Sequence, residues 1–228
     1  MKKAIVICSG GLDSVVTSHY VKKQLSYNKL IILFFNYGQL SLNRERKASK
    51  LCAKSLNAKF IEIKIPELKK LALSPLVKKS TPPKASFLKN TKKESEHWYL
   101  PWRNLVFLSY AMAYAESQYI KNKLLPEIFV GFKCEGSESY PDASSAFVSS
   151  FNSLIKKSSK VNSFIHAPLI KKDKEDIVSL GESLKVPLEK TYSCYVGRSK
   201  HCGACLACRL RKAGFYWADI KDKTKYSK

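Results

Sequence analysis

The sequence predicts an α/β fold built on a parallel sheet. Three observations carry this reading: short apolar runs at Lys3–Cys8 and Leu30–Phe35, an alternating run at Phe60–Ile65, and helical patterns between them. Unbroken apolar runs are expected of strands buried on both faces. Strand–helix–strand order implies parallel pairing through crossovers.

Each element follows in order. After Lys3–Cys8 and a glycine pair, a helix is expected from Asp13 to about Leu25, with Val15, Val16, Tyr20 and Val21 on one side. Leu30–Phe35 is the second strand. Ser41–Leu56 reads as a helix with an apolar stripe of Leu42, Ala48, Leu51, Cys52 and Leu56. Phe60–Ile65 closes the third strand at Pro66. Residues 69–97 are rich in Lys, Ser, Thr and Pro and read as an excursion or lid, too long for an ordinary connection. Arg103–Ser117 reads as a helix, Glu127–Phe132 as a fourth strand and Ala143–Lys157 as a helix. His166–Ile170 holds a short apolar stretch. Further helices are expected at Asp173–Leu184 and Leu206–Ile220. Residues 1–190 are read as the main domain and 191–228 as a C-terminal cysteine-bearing segment.

Composition narrows the function classes. The chain has 228 residues, 45% hydrophobic and 11% aromatic, which excludes disorder as the overall state. Its longest apolar run, Leu30 to Phe35, is too short to span a bilayer. The apolar stretch after Met1-Lys2-Lys3 is too short for a signal peptide, so a cytoplasmic protein is expected. The net charge is +23, carried by 35 Lys and 6 Arg. Bidentate phosphate or base contacts would favour Arg. A general compositional bias explains the lysines without a partner, and steering of a small anionic substrate is a second use for them.

Ser9-Gly10-Gly11-Leu12-Asp13-Ser14 lies between a buried strand and a helix. Glycines allow left-handed turns and close approach to a ligand. The helix N-terminus offers unpaired N–H groups and partial positive charge, and Ser9 and Ser14 add hydroxyls. The segment therefore reads as a phosphate cradle; a plain strand-to-helix turn with a Ser or Asp cap would not need two glycines and two serines. Four of the seven cysteines form Cys194-x7-Cys202-x2-Cys205-x2-Cys208. Four thiolates at this spacing suit structural Zn²⁺ with no open position. An Fe–S cluster and a redox Cys-x-x-Cys pair are the alternatives. His201 beside the cluster reads as a surface residue rather than a fifth ligand.

The hexapeptide resembles the PP-loop of the ATP pyrophosphatases. Together with the knuckle it resembles the QueC family, 7-cyano-7-deazaguanine synthase, over nearly the whole chain. Phe35-Asn36-Tyr37-Gly38-Gln39 is similar to the family's Phe-Asp-Tyr-Gly-Gln, and Leu100-Pro101-Trp102-Arg103-Asn104 to Val-Pro-Gly-Arg-Asn. Tyr140-Pro141-Asp142 matches a Tyr-Pro-Asp after the fourth strand. Pro168-Leu169 with Asp173-Lys174, and Thr191-Tyr192-Ser193-Cys194-Tyr195, resemble further family blocks. In the knuckle, Arg209 and Arg211 follow Cys208 where the family has one Arg at the third place.

The resemblance implies a Rossmann-like parallel sheet flanked by helices, of the HUP or adenine-nucleotide α-hydrolase kind. It implies adenylation of the carboxylate of 7-carboxy-7-deazaguanine by ATP. Ammonia then attacks to give the amide, and a second adenylation gives the nitrile, with AMP and pyrophosphate released. ATP would be held by Cys8, Ser9, Gly10, Gly11, Leu12, Asp13, Ser14 and Val15, with Tyr37 and Gln39. Asp13 would help hold Mg²⁺. Asp13, Ser14, Arg103 and Lys174 are the expected catalytic residues. Trp102, Arg103, Asn104, Tyr140, Pro141 and Asp142 are expected to bind substrate, and Cys194, Cys202, Cys205 and Cys208 to bind Zn²⁺. A homodimer is expected.

Four departures from the family pattern are expected to fall near the pocket: Trp102 for Gly, Asn36 for Asp, Gly136 within Lys133-Cys134-Glu135-Gly136, and Ala143 for Cys. They bear on the acceptor and on the second activation. Alternatives are therefore a ligase that stops at the amide, or one that joins the carboxylate to another amine, including a protein amine in anti-phage defence. A tRNA thiolase of the same superfamily would expect a cysteine pair at the pocket. Cys8, Cys52 and Cys134 lie in different elements and make a weak pair. A basic zinc-knuckle nucleic-acid binder is the non-enzyme alternative, and it leaves the phosphate loop without a use.

Overall fold

The structure is a computed structural model that describes residues 2–78, 91–133 and 140–227. Five strands form one parallel sheet: β1 (Lys3–Ile7), β2 (Lys29–Asn36), β3 (Lys59–Lys64), β4 (Glu127–Val130) and β5 (Ile165–His166), in the order β3-β2-β1-β4-β5. The register pairs Ile5 with Ile31 on one side and with Ile128 on the other. Chain order runs outward from β1 to β3 and then from β4 to β5. The direction of winding thus switches between β1 and β4, where open α/β sheets leave a crevice at the strand ends.

The helices are α1 (Leu12–Lys23), α2 (Leu42–Ser55), α3 (Pro66–Leu71), α4 (Thr91–Trp98), α5 (Arg103–Asn122), α6 (Ser145–Ser158), α7 (Lys174–Ser183) and α8 (Leu206–Trp217). Successive strand residues point to opposite faces, so the central strands are apolar throughout. Ile5, Ile31, Leu33 and Ile128 pack under α5 and α6, together with Cys194, Cys205 and Cys208. Ala4, Val6, Ile32 and Phe129 pack under α1, α2 and α7. The expected parallel α/β architecture is thus present, with the cysteine segment sharing the core of one sheet face.

Several boundaries differ from the sequence reading for local reasons. The fourth strand stops at Val130 because the next residue, Gly131, passes against α1: a Cβ there would lie 2.9 Å from the Ser14 nitrogen. α5 runs on to Asn122, and Lys123 ends it in the left-handed conformation at φ 55°. The helix expected from Ala143 is split. Pro141–Ala143 forms a 3-10 turn, and the Ser144 hydroxyl then caps α6 by accepting from the Phe147 N–H at 3.1 Å. In α2 the buried face is Ala48, Ser49, Cys52 and Ala53, while Leu51 is 37% exposed. Small residues win this face because the glycine turn approaches it too closely for leucine. Of the 69–97 excursion, residues 79–90 lie outside the described residues. In the rest of it, Ala72, Leu76 and Val77 join the core while Leu71 and Leu73 are exposed, and α4 follows, ending at the buried Trp98.

Candidate active site

A cavity of about 330 Å³ opens at the C-terminal ends of β1 and β4. Its floor is the loop from Cys8 to Ser14. Gly10 adopts φ 81°, and a Cβ on it would meet the Glu45 carbonyl oxygen at 2.6 Å and the Ser49 nitrogen at 2.8 Å. Only glycine fits this left-handed position against α2. The Ser14 hydroxyl donates to the Gly11 carbonyl at 3.1 Å and lies 3.4 Å from the Ser9 hydroxyl. α1 begins after Gly11 with no side-chain cap. Its first N–H groups are thus left to the crevice, as in an anion site.

Lys174 opens α7, and its side chain is buried. Its ammonium donates to both Asp13 carboxylate oxygens, at 2.6 and 2.8 Å. The approach depends on α8: a Cβ on Gly214 would lie 2.2 Å from Lys174 Cγ. Glycine in a helix interior costs about 1 kcal/mol relative to alanine, and here it clears the path of the lysine.

Arg103, also on the cavity wall, opens α5. A cation is unfavourable at a helix N-terminus. Burial works against its charge too, but Tyr37, Asp142, Tyr140 and Tyr195 around it hold the guanidinium pKa above its ordinary value. Burial raises the Asp142 pKa, against the opposing effects of Arg103 and the Asn104 N–H. Burial likewise pushes Tyr37 up to about 12, so its phenol stays protonated and can donate. Asp142 also caps α5 from a distant segment: Asp142 Oδ2 accepts from the Asn104 N–H at 3.2 Å, and Asn104 Nδ2 donates to the Asp142 carbonyl at 3.1 Å. The local cap is supplied by no side chain, since Trp102 sits there at φ 60°.

The sequence reading passed over two walls. Tyr192, Ser193 and Tyr195 line the cavity from the segment that carries Cys194, and Ser95 and Trp98 line it from α4. Glu45 also reaches it, accepting from Ser41 Oγ at 2.5 Å and Gln39 Nε2 at 2.9 Å. The Thr191-Tyr192-Ser193-Cys194-Tyr195 block carries the signal for Tyr192 and Tyr195, although the resemblance gives a role there to Cys194 alone.

Most of the expected site residues meet here. Cys8, Ser9, Gly11, Leu12, Asp13 and Ser14 line the cavity, and so do Tyr37, Gln39, Arg103, Asn104, Tyr140, Asp142 and Lys174. Gly10 supports the loop from behind, and Val15 packs into the opposite core. Pro141 is exposed outside the cavity. Trp102 is 65% exposed and does not line it. Of the four departures, Ala143 lines the cavity and Gly136 lies outside the described residues. Asn36 is elsewhere: its amide donates to Glu62 Oε1 at 3.0 Å at the far sheet edge, where Arg46 also pairs with Glu62 at 2.7 Å. An aspartate there would face Glu62 charge to charge. Neither Trp102 nor Asn36 lines the cavity, but both adjoin residues that do: Arg103 follows the one, and Phe35 and Tyr37 flank the other. Of the cysteines weighed as a pair at the pocket, Cys8 lines the cavity while Cys52 lies off it on α2, in the same buried cluster as Cys8.

The Sγ atoms of Cys194, Cys202, Cys205 and Cys208 all lie within 4.8 Å of one another. A tetrahedral ion with bonds of about 2.3 Å spans such a set; the irons of a cluster would hold the sulfurs farther apart. Backbone N–H groups support the thiolates, as Cys202 Sγ accepts from Cys205 N at 3.2 Å and Cys194 Sγ from Cys202 N at 3.3 Å. The donor set fits zinc. His201 is not at the surface: it is 6% exposed, and its Nε2 accepts from the Ser193 N–H at 3.1 Å. Turned inward to satisfy that backbone group, it supports the cluster without joining it. Arg211 is fully buried and ties the segment down, donating to Leu188 O at 2.7 Å, Thr191 Oγ1 at 2.7 Å and Ser193 Oγ at 3.2 Å. Arg209 pairs with Glu94 of α4. No helix among the described residues is long and apolar enough to cross a membrane.

The model for the queuosine biosynthesis protein QueC matches residues 3–219. A 7-cyano-7-deazaguanine synthase of Methanosphaera stadtmanae is 40% identical over 233 residues, 99% of each chain. One from Nitratiruptor sp. is 40% identical over 226 residues, 98% of each. One from Methanobrevibacter smithii is 37% identical, covering 99% of this chain and 98% of its own. Among solved structures, NMN synthetase from Francisella tularensis superposes with a TM-score of 0.51 at 15% identity, over 97% of this chain and 79% of that one. That likeness concerns the fold.

Proposed function

Since the chain belongs to the QueC family of queuosine biosynthesis proteins, we propose that it converts 7-carboxy-7-deazaguanine to 7-cyano-7-deazaguanine. ATP adenylates the carboxylate, ammonia displaces AMP to give the amide, and a second adenylation and loss of AMP give the nitrile. The observation that carries this reading is the cavity itself. The Ser9–Ser14 loop, with its free helix N-terminus, and the Arg103–Asp142 pair line one cavity.

In this reading the α1 N-terminus and the hydroxyls of Ser9 and Ser14 bind the pyrophosphate. They stabilise charge that grows as the α–β phosphate bond breaks. Lys174 adds a buried cation at that point. Asp13 would hold Mg²⁺, which offsets phosphate charge when bound. Arg103 binds the anionic carboxylate or the α-phosphate. Asp142 and Asn104 fix the base, and protonated Tyr37 donates to it or to the nucleotide. The four cysteines would hold zinc as a structural ion that fixes the Tyr192–Tyr195 wall.

The test is one incubation of the zinc-loaded protein with ATP, Mg²⁺, 7-carboxy-7-deazaguanine and ammonium, read by mass spectrometry. A nitrile with about two AMP per product is the expected result. An amide with one AMP would replace the proposal with the one-step ligase. AMP without product would point to another amine acceptor. The absence of AMP from folded, zinc-loaded protein would overturn the adenylation reading.

A further inference from the structure

We propose that Cys8 and Cys52 form a reversible oxidation site under the phosphate loop, in which a hydroperoxide oxidises Cys8 and Cys52 resolves it as a disulfide. The geometry assigns the two roles. Cys8 ends the first strand's run into the loop and lines the cavity, although it is only 1% exposed. Cys52 lies on α2 behind it, 3% exposed and off the cavity wall. A small oxidant entering the crevice therefore meets Cys8 first.

The same face of α2 holds the loop at three successive points. Ala48 and Ser49 lie against Gly10. Ser49 Oγ donates to the Cys8 carbonyl at 2.9 Å. One turn on, Cys52 lies on the same buried face of α2 and in the same core cluster as Cys8. Docking of α2 thus holds the two cysteines in one buried cluster in the reduced protein. The chemistry of the pair is asymmetric. Hydrogen bonds from Cys52, Ser14 and Ser18 and from the Gly10 backbone hold the Cys8 thiol down to about 6, against burial. Cys52 is held well above its ordinary value, first by its bond to Cys8 and then by burial. A thiolate beside a helix N-terminus is the reactive partner, and a protonated neighbour is poised to resolve it.

The steps balance. The Cys8 thiolate attacks the terminal peroxide oxygen, the O–O bond breaks, and the alcohol (water, for hydrogen peroxide) leaves after taking a proton. This leaves Cys8 as a sulfenic acid. The Cys52 sulfur attacks the Cys8 sulfur, the S–O bond breaks, and hydroxide leaves with the Cys52 proton as water. Two thiols lose two electrons, and the hydroperoxide is reduced. Thiol reductants reverse the bond. Drawing Cys8 towards α2 breaks its 3.5 Å contact with Ser14 Oγ and distorts the anion cradle. Oxidation thereby switches the site off, and bound nucleotide shields Cys8. This last link rests on the proposed ATP site.

The test treats the zinc-loaded full chain with hydrogen peroxide, with and without ATP and Mg²⁺, then blocks free thiols and maps peptides by mass spectrometry. The expected result is a Cys8–Cys52 linked peptide, reversed by dithiothreitol. ATP binding is lost on linkage and regained on reduction, and ATP slows linkage at least tenfold. Cys52→Ser should bind ATP like the parent, form no link, and accumulate a dimedone-trapped sulfenic acid on Cys8. Free, alkylatable Cys8 and Cys52 after other cysteines have oxidised would overturn the proposal, as would a linked protein that binds ATP unchanged. Linkage without ATP protection, in a reduced protein that binds no ATP, would keep the thiol pair and overturn the nucleotide reading.

Discussion

The Tyr192 backbone N–H donates to the Gly10 carbonyl at 2.8 Å. This one bond joins the cysteine-bearing segment to the phosphate loop, two residues from Cys194. The metal site is therefore part of the loop's support. Replacing a ligand, as in Cys205→Ser, should abolish zinc retention and weaken ATP binding. Loss of one such buried bond is worth about 1 kcal/mol, or roughly fivefold in affinity. Metal content and titration calorimetry with ATP check both; zinc loss with unchanged ATP affinity would disprove the coupling.

Gly214→Ala decides between two opposed effects. Alanine in a helix interior should stabilise by about 1 kcal/mol. Here the new methyl meets Lys174 Cγ, and overpacking of this kind costs about 1–3 kcal/mol. The expected outcome is net destabilisation in urea, with turnover reduced at least tenfold because Lys174 leaves Asp13. A more stable, fully active variant would refute the packing argument.

Trp102→Gly should stabilise the protein. A left-handed backbone costs a non-glycine residue about 1–2 kcal/mol, and the exposed indole gives back little packing. A gain on the order of 0.5–1 kcal/mol is expected after the entropic cost of glycine. Because Trp102 does not line the cavity, KM for the deazaguanine should stay unchanged, and steady-state kinetics will show it.

Asp142→Ala removes the distant cap of α5 and the carboxylate beside Arg103. Loss of a cap costs about 1–2 kcal/mol. KM for the substrate should rise more than tenfold. Asp142→Asn should keep most of the stability but not the binding, which separates the cap from the charge. Equal losses in both variants would argue that the carboxylate is structural only.

His19 is buried, and its pKa falls to about 4, first through burial and then through Lys23. A depressed histidine stabilises the fold above its unfolded pKa of about 6.5. That contribution is lost as pH falls from about 6.5 through 4, a loss on the order of 2–3 kcal/mol. Urea unfolding across this range should show the slope, and His19→Leu should flatten it.

The parts of the site written in local sequence were legible. Ser9-Gly10-Gly11 between a buried strand and a helix forecast the cradle, and three short cysteine spacings forecast the metal set. The positive φ at Trp102 was foreshadowed by its alignment with a family glycine. What failed depended on contacts between distant segments. Leu51 looked like a core residue, but the docking of α2 turns Ala48, Ser49, Cys52 and Ala53 inward and leaves it outside. His201 looked exposed until the Ser193 N–H needed an acceptor. That Cys8 and Cys52 share one buried cluster follows only from the docking of α2. The partners of Arg103 come from three separate blocks, and no periodicity reports such convergence.

The Tyr192–Gly10 bond also has a consequence in time. Gly10 leaves the ribosome early, whereas Tyr192, the four clustered cysteines, Arg211 and its partner Thr224 leave long after it. A nascent chain can build the β1–β3 layers while still tethered, but it cannot close the floor of the cavity. The phosphate cradle is therefore completed only after the segment from Tyr192 to Thr224 has emerged and docked. A half-made chain has no finished site in which to capture nucleotide.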